Sequence, residues 1–204
     1  MHPLKQKKIL LFKNQFIGVF KTMPLSLILI SALMYCGLHQ LNVLLFSSLS
    51  LNPHISLIYL PAFIRLLNVL VLGPVNGTLA TMFGGVLLLP IQEEVNLTEI
   101  ANIACSGFGP LLASYLFKLT FNKDVALSNT KDLILLGLIY SFSNALVHHS
   151  LWLLLEPKAL IWNLQFFEMM IGDITGTLLG TVALKAIVRL PLVQKKIDQI
   201  DKPK

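Results

Sequence analysis

The sequence predicts an all-α membrane protein, a six-transmembrane-helix bundle with both chain ends in the cytoplasm. Apolar residues make up 55% of the 204 residues and charged residues only 13%, with a mean hydropathy of +0.74. Such a chain has too little polar surface to face water. Apolar stretches near span length follow one another, and basic residues concentrate in a few connections. The spans leave no room for a soluble catalytic domain, so we expect no enzyme.

The apolar stretches cover residues 24–46, 54–72, 76–91, 99–120, 132–155 and 161–184. The third is short for a span at about 1.5 Å per residue, so it predicts tilting, bilayer thinning or a partly re-entrant path. Between the second and third lies Gly73-Pro74-Val75-Asn76-Gly77. This motif predicts a tight helical hairpin, because proline fixes φ and glycine permits positive φ.

Lysine and arginine predict the orientation, because positively charged loops resist translocation. The opposite loops hold one basic residue, Lys158, together with Glu93, Glu94, Glu99 and Glu156. An even number of spans therefore places both ends on the inner side of a bacterial cytoplasmic membrane. Fourteen basic residues lie before the first span, between the fourth and fifth, and in the tail: Lys5, Lys7, Lys8, Lys13, Lys21, Lys118, Lys123, Lys131, Lys185, Arg189, Lys195, Lys196, Lys202 and Lys204.

The predicted organisation is a basic cytoplasmic segment (1–22), one membrane domain (23–190) and a basic tail (191–204). The formal charge of +6 lies mainly in those ends and one loop, where anionic lipid headgroups are the expected partner and nucleic acid is not. Cys36 and Cys105 lie inside apolar runs without metal-ligand spacing. We therefore predict no metal site and no cofactor.

Arg65 is the sharpest functional signal, since it lies inside the second apolar stretch. A charged residue there costs at least about 3 kcal/mol and usually has a partner or a wet cavity. Counted from the predicted outer face, Arg65 and Asp173 are both about 17 Å deep, with Asn144 at the same level and Asn68 one turn deeper. Two interpretations follow: a structural pair between the second and sixth helices, or a polar cavity for a small ligand.

A second polar layer is predicted nearer the outer surface, at a depth of about 10 Å. It contains Glu168 on the sixth helix and His148 or His149 on the fifth. The two histidines point about 100° apart on a helix, which disfavours a shared metal ion. An imidazole near Glu168 could change charge between pH 5 and 8. Trp152 and Trp162 flank the last outer loop as interfacial anchors.

The sixth helix carries Gly172-x-x-x-Gly176-x-x-x-Gly180, with Asp173 directly beside this row of glycines. Three small residues on one face let another helix approach to backbone contact. The row therefore predicts close packing, either inside the bundle or in a homodimer. It also places the Asp173 carboxylate at a helix interface instead of in lipid.

Two motifs resemble those of MASE1-type bacterial membrane sensory domains. They are Tyr59-Leu60-Pro61-Ala62-Phe63-Ile64-Arg65, followed by Leu72-Gly73 and Gly84-Gly85, and the later Ile171-Gly172-Asp173-Ile174-Thr175-Gly176. The likeness touches residues 55–118 and 161–184. It implies a helical membrane bundle that receives an unidentified signal and acts on a cytoplasmic signalling protein.

The chain is also similar to the substrate-binding subunits of energy-coupling-factor vitamin transporters. The likeness lies in its size, its six predicted helices and Gly-Pro-x-x-Gly at residues 73–77. It implies a vitamin-type ligand in an outward cavity and a separate ATPase module as partner. An intramembrane hydrolase using His148, His149 and Glu168 lacks a nucleophile or a metal triad at suitable spacing, so we predict no catalytic residues.

Overall fold

A computed structural model of the protein describes residues 25–52, 54–91, 95–126, 129–155 and 164–188. The described residues form six α-helices and a small hairpin, and five of the helices are long and apolar enough to cross a membrane. The chain is thus a helical protein of the multi-pass membrane class, as predicted. The elements are α1 (Leu25–Phe46), β1 (Ser50–Asn52), β2 (Ile55–Ser56), α2 (Pro61–Leu72), α3 (Pro74–Leu88), α4 (Leu97–Phe121), α5 (Thr130–Leu155) and α6 (Leu164–Val188).

Helix α1 buries only one stripe of its surface. Its buried residues are Ile28, Ala32, Tyr35 and Asn42, which recur at helical spacing, while most of its leucines are exposed. This pattern is typical of a span with one face on protein and the rest in lipid. The buried stripe packs against α2 and α3.

The prediction of a helix throughout 54–72 is wrong, because α2 begins only at Pro61. Strands β1 and β2 pair antiparallel just before it, and an irregular segment of bends and a turn, residues 57–60, connects them to α2. A helix continuing upstream would need the Pro61 nitrogen to donate to the Leu57 carbonyl, and proline has no N–H. The Leu57 carbonyl instead accepts a hydrogen bond of 2.7 Å from Thr175 Oγ1 of α6.

Helix α2 is the shortest helix and lies at the centre of the bundle. At helical rise its 12 residues measure about 18 Å, too little to cross a bilayer core of about 30 Å. It contacts α1, α3, α4 and α6, and eight of its residues are buried. Irregular backbone is tolerated at membrane depth where protein encloses it. The irregular backbone just before α2 is therefore tolerated because neighbouring helices enclose it.

The predicted hairpin forms between α2 and α3. Gly73 adopts φ 82°, a conformation that favours glycine, and Pro74 is the first residue of α3. Gly77 contacts the backbone of Asn68 and Val69, where an added Cβ would clash. Helix α3 continues through a 3₁₀ turn to Ile91, so the second apolar stretch, not the third, contains the shortest helix.

Basic residues of the predicted cytoplasmic set meet at one end of the bundle. Lys118 pairs with Asp124 at 2.8 Å and Lys123 pairs with Asp132 at 2.7 Å, both around the α4–α5 connection. Lys185, near the end of α6, donates to Thr130 at the start of α5. These lysines therefore share one end of the molecule. The six-span topology itself remains a prediction.

Candidate functional site

Arg65 is buried in the centre of the bundle between two tyrosines. Its side chain is 5% exposed, and its Nη2 donates to Tyr35 Oη at 2.9 Å and to Tyr59 Oη at 2.7 Å. The guanidinium carbon lies 5.4 Å from the centroid of the Tyr35 ring and 4.8 Å from that of Tyr59. Hydroxyl acceptors and aromatic faces thus stabilise the charge that burial would otherwise disfavour.

The irregular segment 57–60 positions Tyr59. The Tyr59 amide donates to the Gly172 carbonyl at 3.1 Å, and the Leu60 amide donates to Asn42 Oδ1 of α1 at 2.8 Å. An added Cβ on Gly172 or Gly176 would clash with backbone atoms of this segment or of Ser56. The glycine row of α6 therefore packs internally, against the chain that leads into α2, and fixes one wall of the Arg65 site.

Asp173 of α6 is 2% exposed and accepts a hydrogen bond of 2.7 Å from Asn144 Nδ2 of α5. Asn144 fits here because Gly109 of α4 faces it, and a Cβ on that glycine would clash with Asn144 Oδ1. Three helices thus hold the carboxylate and the amide in contact. Asn144, which the sequence places at the depth of Asp173, is thus in hydrogen-bond contact with it.

The expected direct pair between Arg65 and Asp173 is not formed. Among the described residues no ion pair within 4.0 Å joins them, although their charges interact electrostatically. Each group has other partners: the tyrosine hydroxyls take both bonds from Arg65 Nη2, and Asn144 holds Asp173. Tyr140 of α5 lies near both charges. The opposite charges are therefore neighbours that remain apart.

Several buried polar atoms of this site have no hydrogen-bond partner within the described part of the chain. They are Arg65 Nε, Tyr140 Oη, Ser143 Oγ and Asn144 Oδ1. The last three come from one face of α5, at spacings of three and four residues. Tyr140 is near Arg65, but the geometry makes no hydrogen bond. Buried polar groups are almost always bonded to protein or ordered water, so these four atoms mark where water or another polar molecule could bind.

Asn68, which the sequence places one turn below Arg65, stabilises the hairpin of α2 and α3 instead. Its Nδ2 donates to Thr81 Oγ1 of α3 at 3.2 Å, and both residues are buried. It therefore joins α2 to α3 and has no described bond to Arg65 or Asp173.

A second polar cluster lies around Asn102 of α4, towards the predicted outer end. Asn102 Oδ1 accepts from Trp152 Nε1 at 2.8 Å and lies 3.3 Å from His148 Nδ1. Its Nδ2 lies 3.3 Å from His54 Nδ1, and His54 Nε2 is 3.7 Å from Glu99 Oε1. His148, which the sequence placed in an outer polar layer, therefore belongs to a cluster centred on Asn102.

The other predicted members of that layer have different surroundings. The His149 ring packs against Trp152 and Phe166, with centroids 4.8 and 5.5 Å away. Glu168 is half-buried, and within the described chain no hydrogen bond or ion pair joins it to His148 or His149. Trp162 lies outside the described residues. Among those described, no group of three histidine, cysteine or acidic side chains is placed to hold a metal ion.

Sequence reasoning missed Tyr35, Tyr59, Tyr140 and Asn102. Tyrosines are usual at membrane interfaces, where their hydroxyls meet water. Tyr35 and Tyr140 each lie ten residues into a long helix, about 15 Å from its start. A tyrosine at mid-span needs a buried partner for its hydroxyl, and that was the available signal.

No protein-family model, curated protein or solved structure matches the chain. The resemblances to MASE1-type sensory domains and to transporter substrate-binding subunits stay predictions.

Proposed function

We propose that the chain is a receptor component of a bacterial cytoplasmic membrane, with six spans and both ends inside. It binds a small polar ligand in the site between Arg65 and Asp173 and acts as a MASE1-like sensor. The observation that carries this proposal is the cluster of buried polar atoms without partners around those two charges. Its partner would be a cytoplasmic signalling protein.

The unpaired atoms favour a ligand over a structural role. A buried polar group without a hydrogen bond destabilises a protein by about 1–3 kcal/mol. A structural pair would place Arg65 against Asp173 and leave fewer such groups. Here the two charges stay apart, and Tyr140, Ser143 and Asn144 present free polar atoms. A ligand that bonds to these atoms would offset the destabilisation.

The two polar layers lie along α5, which supports a signal arriving from outside. His148 belongs to the outer cluster, and Asn144 is one helical turn below it on the same face. Tyr140 follows another turn below. These buried polar groups form a row from the outer cluster to the Arg65 site, and a polar solute would find hydrogen-bonding groups along it.

A specific observation favours transport as a second candidate. Segment 57–60 and α2 form an interrupted span, and Arg65 lies in the first turns of the half-helix. Several transporter folds bind substrate at such interruptions near the membrane centre. The chain would then be the substrate-binding subunit of a vitamin-type transporter, or another small-solute component, working with an ATPase module.

Native mass spectrometry of the full chain tests for a ligand. Gly37→Ala is the control variant, because a Cβ at that position meets no atom within 4 Å. The purified wild type and this control should each carry the same small molecule. Arg65→Met and Asp173→Asn should lose it. If the wild type carries none, and no compound of a metabolite library raises its melting temperature, the receptor proposal fails. A copurifying ATPase would favour the transport alternative, and a copurifying cyclase or kinase would favour sensing.

A further inference from the structure

The unpaired groups of the Arg65 site differ in kind at its two ends. At the Arg65 end the guanidinium Nε is a donor, and the Tyr140 hydroxyl, which lies near both charges, is a further donor. At the other end are acceptors, the Asn144 carbonyl oxygen and the Asp173 carboxylate to which that amide is bonded. The site therefore offers donors beside a fixed positive charge and acceptors beside a fixed negative charge.

We infer that the ligand is a zwitterion of the α-amino-acid type, with its carboxylate at Arg65 and its ammonium group at Asp173. This inference rests on the proposed function and assigns the class of ligand. A carboxylate accepts charge-assisted hydrogen bonds from a guanidinium and a phenol hydroxyl. An ammonium group carries three donors, which suit the Asp173 carboxylate and the free oxygen of Asn144.

Charge balance favours a zwitterion over a simple ion. With Asp173 ionised, it and Arg65 together carry no net charge, so a simple anion or cation would leave one unbalanced charge in the membrane interior. Uncompensated buried charge is strongly unfavourable. A zwitterion keeps the sum at zero and gives each fixed charge a counter-charge, which an uncharged sugar or alcohol does not.

The same reasoning limits the ligand's side chain. Among the described buried residues the only other Asp, Glu, Lys or Arg is Asp132, which pairs with Lys123 at the end of the bundle. Tyr140 and Tyr59 also border an apolar cluster that contains Ala62, Leu66 and Phe117. An ionised group on the ligand's side chain would thus find no opposite charge among the described buried residues. The expected ligands are amino acids with uncharged side chains.

Binding measurements on the full chain in lipid nanodiscs test the inference. Each uncharged amino acid is compared with two analogues, one lacking the amine and one lacking the carboxylate, such as leucine against 4-methylpentanoate and 3-methylbutylamine. At least one amino acid should bind, and its two analogues should bind at least about tenfold more weakly, the loss expected for one charged hydrogen bond. Asp173→Asn should abolish the preference for the amino acid over the carboxylate analogue.

Tyr140→Phe is the second variant, because its hydroxyl has no described partner and its loss should leave the fold intact. It should weaken amino-acid binding by about tenfold. Equal binding of every amino acid that binds and its analogue without the amine, or unchanged binding of that amino acid by Tyr140→Phe, would overturn the inference. If a molecule that is not a zwitterion binds and its binding depends on Arg65, the proposed ligand class is wrong and the receptor function is supported. If nothing binds, both are wrong.

Discussion

Arg65 shows how a membrane interior can hold a guanidinium group without a direct carboxylate partner. Tyr35 and Tyr59 supply two hydroxyl acceptors and two aromatic faces, and Asp173 acts from a greater distance. Arg65 Nη2 donates to both tyrosines, and among the described residues Nε has no hydrogen-bond partner. The arrangement fixes the position of the charge while leaving it able to bind.

Two tyrosine substitutions distinguish the residue that stabilises Arg65, Tyr59, from the residue proposed to bind the ligand, Tyr140. Tyr59→Phe should lower the free energy of unfolding by about 1.5–3 kcal/mol, because a charged donor loses its acceptor. Tyr140→Phe should change it by less than about 0.5 kcal/mol in the ligand-free protein, because no described bond is lost. Denaturant unfolding in detergent micelles measures both, and a greater loss for Tyr140→Phe would contradict the assignment.

A double-mutant cycle measures the coupling between the two buried charges. Arg65→Met and Asp173→Asn should each destabilise the protein by about 1–3 kcal/mol, because each removes a buried hydrogen-bonding group and the charge that lies near the other. The double variant should cost less than the sum, with a coupling of about 0.5–3 kcal/mol. Gly37→Ala combined with Asp173→Asn is the additive control. Strict additivity for the charged pair would show that the charges do not interact.

At this scale the sequence predicts the charged residues and places Asn144 at their depth, but it does not predict the tyrosine partners of Arg65. A cation or carboxylate in an apolar stretch is conspicuous, which singles out Arg65 and Asp173. Tyrosine is common in apolar stretches, so Tyr35 and Tyr140 give no such signal. The bond between Asn144 and Asp173 also depends on the space left by Gly109, which no spacing along one helix reveals.

The glycine row of α6 packs against the irregular segment of the second span and so stabilises the interruption. Irregular backbone needs more hydrogen-bond partners from outside than a helix does, and α6 provides the Gly172 carbonyl and the Thr175 hydroxyl to residues 57–60. Hydropathy alone cannot distinguish this arrangement from a continuous helix, because residues 54–72 are apolar in either case. The missing N–H of Pro61 was the local signal for the break.

Two glycine-to-alanine variants test this packing. Gly176→Ala should destabilise the protein by about 1–3 kcal/mol, because the new methyl group meets the Tyr59 carbonyl. Gly37→Ala, at an open position of α1, should be neutral or stabilise by up to about 1 kcal/mol. Thermal unfolding of the two variants beside the wild type gives the comparison. Equal melting temperatures would mean that α6 does not support the segment.

The molecule as a whole is organised around its shortest helix. Helices α1, α3, α4 and α6 contact α2 and shield it from lipid, so the interrupted span lies where its backbone can be satisfied. Composition predicts the membrane class well. It does not predict this arrangement, because lipid-facing and protein-facing surfaces are both apolar and most helices show little contrast between their faces.

Cysteine labelling tests the predicted topology of six spans with both ends inside. In a variant without Cys36 and Cys105, a cysteine at Leu51 of strand β1 should react with an impermeant maleimide in intact cells. Cysteines at Lys131 or at either chain end should react only after the cells are opened. Lys131 and the chain ends are on the predicted inner side because of the basic residues there. Labelling of Leu51 and a chain end from the same side would exclude the topology.

The most direct test of the Arg65 site is an experimental density map of the full chain in a lipid nanodisc. We expect density larger than a water molecule, within hydrogen-bonding distance of Arg65 Nε, Tyr140 Oη and Asn144 Oδ1. Arg65 and Asp173 should lie on opposite sides of it. A map in which Arg65 pairs directly with Asp173, with no density between them, would contradict a ligand site and leave only a structural pair.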